Sequence, residues 1–294
     1  MNPVLSPNSP AHLCGVTGAA GYVGSVIAQH LASQGLTLLP LTRNPGSLPN
    51  ARPFHLGQPI APDTLAGLHS LVHCAYDFAA FGWDDIHRAN VAGTAALFQS
   101  ARAAGVQRIL FISSISAFEG SRSLYGQAKL QAEHIASDVG AIIIRPGLVY
   151  GASSRGMVGS LAKIASLPLL APMVGLGHHL QYLTHEQDLA HLIHYLLTSP
   201  TAPPKSPITA ACPHPHSLRD IVAALAKAKG RKQLYLPIPP ILIHALLRTA
   251  ESAGLRPRLR SDSLVSLLNQ NPSPDFSALS KLGLPFRDLE LPAR

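Results

Sequence analysis

Acidic residues are scarce in this chain of 294 residues: 15 Asp and Glu stand against 23 Lys and Arg, and none precedes Asp63. Charged residues of both signs make up only 13%. The formal charge of +8 raises the question of nucleic acid or an acidic membrane surface. No nucleic-acid motif accompanies it, and much of the excess comes from missing acids. A solvated basic surface, or a cleft that takes a small anion, accounts for it. Cys14, Cys74 and Cys212 stand singly, which excludes a disulfide framework and offers no zinc spacing. Cys14 and Cys74 are expected in buried strands, and the usage fits a reducing cytoplasm.

Long apolar runs are also missing. None reaches the roughly 18 residues needed to span a bilayer. The longest candidate, 234–247, holds three prolines and His244; it is expected to pack over a site, with contact to a membrane surface as the alternative. Residues 1–11 have neither a basic start nor an apolar core, so they read as a flexible tail and not as a signal peptide. Histidine is plentiful at 15, but His178-His179 and His214-Pro215-His216 have no carboxylate or cysteine at ligand spacing. No metal site is expected.

What the chain does have is 47% apolar residues, ample for a core, and alternating strand and helix patterns that argue for an α/β fold with a doubly wound parallel sheet. The run 12–16 leads into Thr17-Gly18-Ala19-Ala20-Gly21-Tyr22-Val23-Gly24 and an apolar-periodic segment closed by Gly35. This is a strand, a glycine turn and a helix. Glycines there let backbone approach a pyrophosphate, which sits on the free N–H groups of the helix N-terminus; a plain strand-to-helix corner is the alternative. The next strand, 36–42, ends at Arg43, where a carboxylate would bind a free ribose 2′-hydroxyl. An arginine there suits a 2′-phosphate and favours NADP(H) over NAD(H), unless Arg43 is a solvated loop cation.

Further strands are expected at 68–75 and 106–112, the latter ending in Ser113-Ser114. Eleven residues on comes Tyr125-Gly126-Gln127-Ala128-Lys129. Tyrosine and lysine four apart on a helix share a face, and a cation beside a phenol favours its ionised form. A phenol, an ammonium and a hydroxyl together could move one proton of an alcohol or carbonyl. A chance helical pair, with Lys129 bound to Glu133, is the alternative.

Together these motifs resemble the NAD-dependent epimerase/dehydratase family, the extended branch of the short-chain dehydrogenase/reductase superfamily. The nucleotide turn at 17–24, Val72-His73-Cys74-Ala75, Asn90-Val91-Ala92-Gly93-Thr94, Ser113-Ser114 with Tyr125 and Lys129, Arg145-Pro146-Gly147-Leu148-Val149-Tyr150-Gly151 and the segment 185–190 all match. A segment at 275–283 is similar to the family's ending. The resemblance implies a Rossmann fold and a catalytic trio of Ser114, Tyr125 and Lys129, with Ser113 and Ser116 close enough to compete for the serine role. It implies cofactor contacts from Gly18, Ala20, Gly21, Tyr22, Val23, Arg43, Cys74, Ala75, Tyr125, Lys129 and Pro146. It also implies a nucleotide domain of 12–150 rejoined by 185–199, and a smaller, mainly helical substrate-binding region of 151–184 and 200–294. Helices are expected there at 157–170, 217–229, 241–253 and 261–269, with a strand at 181–183.

Three departures from the family pattern stand out. Only 115–124 separate serine from tyrosine, Ala128 replaces the usual serine before the lysine, and Leu56-Gly57-Gln58 lacks the acid often found after the third strand. They point away from a nucleotide-sugar enzyme. The expected activity is hydride transfer between nicotinamide and a small lipophilic carbonyl or alcohol. Arg155, Arg231 and Lys232 could supply a clamp for a diphosphate, so a sugar epimerase or dehydratase with retained NAD is the alternative. A non-catalytic dinucleotide-binding subunit is the second alternative. No nucleic-acid or transmembrane partner is expected, and a homodimer is compatible.

Overall fold

The computed structural model describes residues 12–152, 156–255, 257 and 259–289. The expected tail 1–11 and Arg155 lie outside the described residues. The first half holds strands β1 (Cys14–Thr17), β2 (Leu38–Thr42), β3 (Arg52–Pro53), β4 (Ser70–His73), β5 (Arg108–Ile112) and β6 (Ile142–Pro146). Between them run helices α1 (Tyr22–Ser33), α2 (Gly82–Ile86), α3 (Gly93–Ala103) and α4 (Leu124–Asp138). A π-helical stretch, His87–Ala92, joins α2 to α3.

Then come β7 (Leu148–Tyr150), α5 (Gly156–Ile164), β8 (Leu170–Val174), β9 (Leu180–Gln181), β10 (Leu183–His185) and α6 (Glu186–Thr198). The chain continues through β11 (Ile208–Ala210), β12 (His216–Ser217), α7 (Leu218–Lys227) and β13 (Leu234–Ile238). Three helices follow: α8 (Pro240–Ser252), α9 (Ser261–Leu268) and α10 (Ser277–Leu282).

Seven strands form one sheet in the order β11-β6-β5-β4-β1-β2-β3, with parallel registers β1–β2, β1–β4, β2–β3, β4–β5 and β6–β11. β1 and β4 are buried along their whole length, as expected of short apolar strands covered on both faces. Successive strands run outward in both directions from β1, so this is the doubly wound Rossmann sheet. Its switch point lies between β1 and β4, where such folds take ligands beyond the carboxyl ends of the strands.

The chain divides into two units, one of residues 12–112, 131–143 and 190–205, the other of 113–130, 144–189 and 206 onward. The first packs Leu41, Leu71, Leu97, Phe98, Ile109 and Phe111 into its core. The second packs Leu161, Met173, Leu183, Ile221, Val222 and Leu267. Each such side chain, fully buried, contributes about 1.5–3 kcal/mol.

Several elements differ from expectation. The helix expected over 157–170 stops at Ile164; Leu167-Pro168 cannot continue it, and Leu170–Val174 instead pairs in parallel with β13. That strand escaped the sequence reading because Pro237 sits inside it, which a two-stranded edge tolerates. In the stretch 234–247 the side chains of Leu234, Leu236, Ile241, Leu242 and Leu246 are exposed, so it is not packed inward throughout. No helix of the described residues is long and apolar enough to cross a membrane. Cys14 is buried in β1, but Cys74 lies one residue beyond β4 and is only half-buried. Ser217 caps the start of α7, its hydroxyl accepting from the Asp220 N–H at 3.1 Å.

Candidate active site

The glycine turn begins where β1 ends. Gly18 has φ +68, and a Cβ there would meet the Ala75 backbone nitrogen at 3.0 Å. A Cβ on Gly24 would lie 2.3 Å from the Gly18 carbonyl oxygen, so the first turn of α1 presses on the loop more closely than any side chain allows. Ala20 and Gly21 are exposed, and Tyr22 and Val23 are half-buried. The N-cap Gly21 makes no side-chain cap and no acid stands in the first turn of α1. N–H groups that a helix start leaves without intrahelical acceptors, the positive end of the helix dipole and missing carboxylates suit a pyrophosphate. Arg43 directly follows β2 and is exposed.

At the switch point the Thr17 hydroxyl accepts from the N–H groups of Cys74 and Ala75, each at 3.1 Å. With both lone pairs engaged, its proton goes to His73 Nδ1 at 2.7 Å. His73 is thereby the Nε2–H tautomer and donates to Thr94 Oγ1 at 3.1 Å, which donates in turn to the Asn90 carbonyl at 2.6 Å. The Asn90 side chain accepts from the Asp77 N–H at 2.6 Å and donates to the Asp77 carbonyl at 3.3 Å. Thr17 and His73 are 0% exposed. This buried chain anchors the loop after β4 that carries Cys74 and Ala75. The sequence reading found both ends of it but not the link.

In the other unit, the Ser114 hydroxyl hydrogen-bonds the Tyr125 phenol and also accepts from the Ser116 N–H at 3.1 Å. Its neighbours are engaged elsewhere. Ser116 Oγ pairs with Ser266 Oγ at 3.0 Å, while Ser113 Oγ is buried and makes no hydrogen bond within the described structure. Of the three serines, Ser114 is the one on the phenol. Lys129, four residues on along α4, is 4% exposed. The phenol was expected to be drawn toward neutrality by a cation. In this structure burial dominates, and pushes it up to about 12 against the lowering effect of Ser114.

The start of α4 is unusually well capped. The Ser123 hydroxyl accepts from the Gly126 N–H at 3.0 Å. The Asp262 carboxylate accepts from Leu124 at 2.7 Å and from Tyr125 at 3.0 Å. Three of the four N–H groups that a helix start leaves open are thus satisfied by side chains. Asp262 was not foreseen; it belongs to α9, and no local spacing connects it with Tyr125. Gly126 fits closely here, since a Cβ would meet the Ser116 carbonyl at 2.4 Å. Pro146 closes β6, and the following Gly147 N–H donates to Thr184 Oγ1 at 2.8 Å.

Comparison with known proteins settles the family. The NAD dependent epimerase/dehydratase family matches residues 14–210, over half the chain. The chain belongs to the NAD-dependent epimerase/dehydratase family. Members of that family use NAD(P). The chain is 31% identical over 193 residues to a ceramide reductase of Caulobacter vibrioides, a match covering 62% of this chain and 60% of the relative. It is 30% identical over 181 residues to a UDP-glucose 4-epimerase of Streptomyces lividans, covering 48% and 53%. The chain thus spans little more than half the length of these curated relatives. In fold it resembles the UDP-glucose 4-epimerase of Thermus thermophilus in complex with NAD, with a TM-score of 0.64 and 20% identity, over 87% of this chain and 97% of that one.

Proposed function

We propose that this chain is an NADP(H)-dependent ketoreductase or hydroxyl dehydrogenase acting on a small, lipophilic carbonyl or alcohol. The observation that carries the reading is the Ser114 hydroxyl on the Tyr125 phenol, with a buried lysine one helical turn along the same face.

When bound, the dinucleotide supplies or accepts hydride at the nicotinamide. In this reading the N–H groups at the start of α1 hold its pyrophosphate, and Arg43 pairs with the 2′-phosphate. Ala20, Tyr22, Val23, Cys74, Ala75 and Pro146 line its path. Ser114 orients the substrate oxygen, and Tyr125 gives that oxygen its proton on reduction or takes it on oxidation. A phenol held near 12 stays protonated until a substrate oxygen and a cation reach it. Lys129 supplies that cation and hydrogen-bonds the nicotinamide ribose. Residues 12–150 and 185–199 serve the dinucleotide, and the remainder the substrate. A cytoplasmic location and a homodimer belong to the same reading.

Few acids, a leucine-rich second half and the short 115–124 interval favour a lipophilic substrate, and the similar ceramide reductase points the same way. A sugar epimerase that retains NAD is the second reading, favoured by the similar UDP-glucose 4-epimerase.

Fluorescence titration with NADPH and NADH, followed by ketones, long-chain acyl ketones and UDP-sugars at the cofactor's absorbance, tests both. Consumption of NADPH with a ketone supports the first reading. Conversion of UDP-sugars without cofactor consumption supports the second, and binding of neither dinucleotide overturns both. Arg43→Ala is expected to weaken NADPH at least tenfold and leave NADH unchanged; equal effects on the two remove the phosphate contact.

A further inference from the structure

A cluster that the hydride-transfer reading leaves unused lies in the second unit. Cys212 Sγ, one nitrogen of His214 and one carboxylate oxygen of Asp288 all fall within 4.8 Å of one another. His214 Nδ1 is 3.4 Å from Asp288 Oδ2, while His216 Nε2, outside that group of three, is 2.5 Å from Oδ1. The Asp288 carboxylate therefore offers one oxygen to each imidazole, with the Cys212 thiol beside it. Cys212 is buried and the His216 side chain is 9% exposed, whereas His214 is 79% exposed. The donors span the boundary between core and solvent, with a way in from the His214 side.

The local sequence favours this arrangement. Cys212-Pro213-His214-Pro215-His216 places donors at alternate positions, and the two prolines restrict the backbone between them. The carboxylate arrives from the segment after α10, which is why spacing along the chain gave no sign of it. Asp288 is itself held there, because its own carbonyl accepts from the Tyr150 hydroxyl at 3.4 Å, and neighbouring Arg287 is bound to Asp188 at 2.6 Å.

We propose that Cys212, His214 and Asp288 form a three-ligand site for a borderline-soft divalent transition metal, zinc in the first instance, with water in the fourth tetrahedral position and His216 holding the carboxylate by its other oxygen. Thiolate sulfur, imidazole nitrogen and carboxylate oxygen are donors zinc takes, whereas calcium and magnesium take oxygen alone. Metal–ligand bonds of about 2.0–2.3 Å put tetrahedral ligands about 3.3–3.8 Å apart, so the three donors need to close by about an ångström. On entry, Asp288 Oδ2 and His214 Nδ1 turn from each other to the metal, while His216 stays on Oδ1. Sulfur binds as thiolate, its proton passing to solvent, and the His214 imidazole binds neutral. The site fastens the segment around Asp288 to the turn between β11 and β12.

The test uses the full chain without a histidine tag, reduced and freed of metal with a chelator. Zinc titrated calorimetrically is expected to bind at one per chain and to raise the melting temperature by several degrees, with no competition from magnesium or calcium. Cobalt(II) is expected to give a thiolate-to-metal charge-transfer band and the visible bands of a tetrahedral ion. Cys212→Ser should abolish the charge-transfer band. His214→Ala, at an exposed position that cannot unfold the chain, should weaken zinc at least tenfold and remove the thermal shift. Stoichiometry well below one, a cobalt spectrum without a thiolate band, or zinc affinity unchanged in His214→Ala overturns the site and leaves a plain hydrogen-bond network. None of these readouts depends on dinucleotide turnover.

Discussion

Asp262 holds the backbone of Tyr125: its carboxylate accepts the Tyr125 N–H at 3.0 Å and that of Leu124 at 2.7 Å. A carboxylate at a helix start satisfies open donors and complements the helix dipole. Asp262→Ala should therefore cost about 1–2 kcal/mol and lower kcat more than it changes dinucleotide affinity. Urea unfolding and steady-state kinetics measure the two effects. An unchanged unfolding midpoint would mean that solvent replaces the cap at no cost.

The phenol of Tyr125 contributes one exchangeable proton. Tyr125→Phe keeps the ring and removes only that group, so the expected outcome is intact NADPH binding with turnover reduced by about 10²–10⁴-fold. Fluorescence titration beside single-turnover kinetics separates binding from chemistry. Undiminished turnover would take the proton-transfer role away from Tyr125.

His73 spans Thr17 and Thr94 inside the first unit. His73→Leu keeps bulk but leaves the Thr17 proton without its acceptor and takes a donor from Thr94, which keeps its bond to the Asn90 carbonyl. A loss of about 1–3 kcal/mol in chemical unfolding is expected for the one unsatisfied group, together with weaker dinucleotide binding as the loop at Cys74 and Ala75 loosens. His73→Gln, able to bond at one end, should lose less. Equal losses in the two variants would show that packing against Phe98 and Phe111, and not the hydrogen-bond chain, is what matters.

Acid should weaken the fold through α1 and α6. The His30 ring centroid lies 4.5 Å from that of His191 and 6.0 Å from that of His194, and His30 Nε2 is buried with no hydrogen-bond partner among the described residues. Burial, and then the two neighbouring imidazoles, hold His30 below its ordinary 6.5, and burial followed by His191 holds His194 down as well. With the folded value depressed, the unfolded chain binds more protons between the two values. Stability is therefore intact above about pH 6.5 and is lost as pH falls toward the folded value. Urea midpoints between about pH 7.5 and pH 5.5 should decline for the native chain and decline less for His30→Gln. Parallel profiles would assign the pH dependence to other histidines, such as His69 or His185.

What was legible in the sequence is what local chemistry encodes. The glycine turn, the short apolar strands and the Tyr–Lys spacing each fit within a few residues, and the sheet follows from their alternation. Ser114 was preferred to Ser113 and Ser116 through the family resemblance alone, and the pairing of Ser116 with Ser266 is visible only in three dimensions. Asp262 and Asp288 were silent for the same reason: each acts on a partner far away along the chain. The raised phenol of Tyr125 was misjudged because the sequence shows a lysine four residues away but not the protein packed around the ring.

The π-helical stretch at His87–Ala92 carries a consequence for anyone shortening or stabilising this chain. A π turn contains one residue more than the α turn it replaces and is the less favourable of the two, so removing a single residue there would give a smoother helix. It would also turn everything upstream by about 100° and shift it by about 1.5 Å relative to α3. Asn90 needs both relations at once, its carbonyl toward Thr94 and its amide toward Asp77. A deletion that improves the helix would cut the Asp77 loop loose from its anchor, so selection for heat resistance at this point would trade the fixed shape of that loop for a smoother helix.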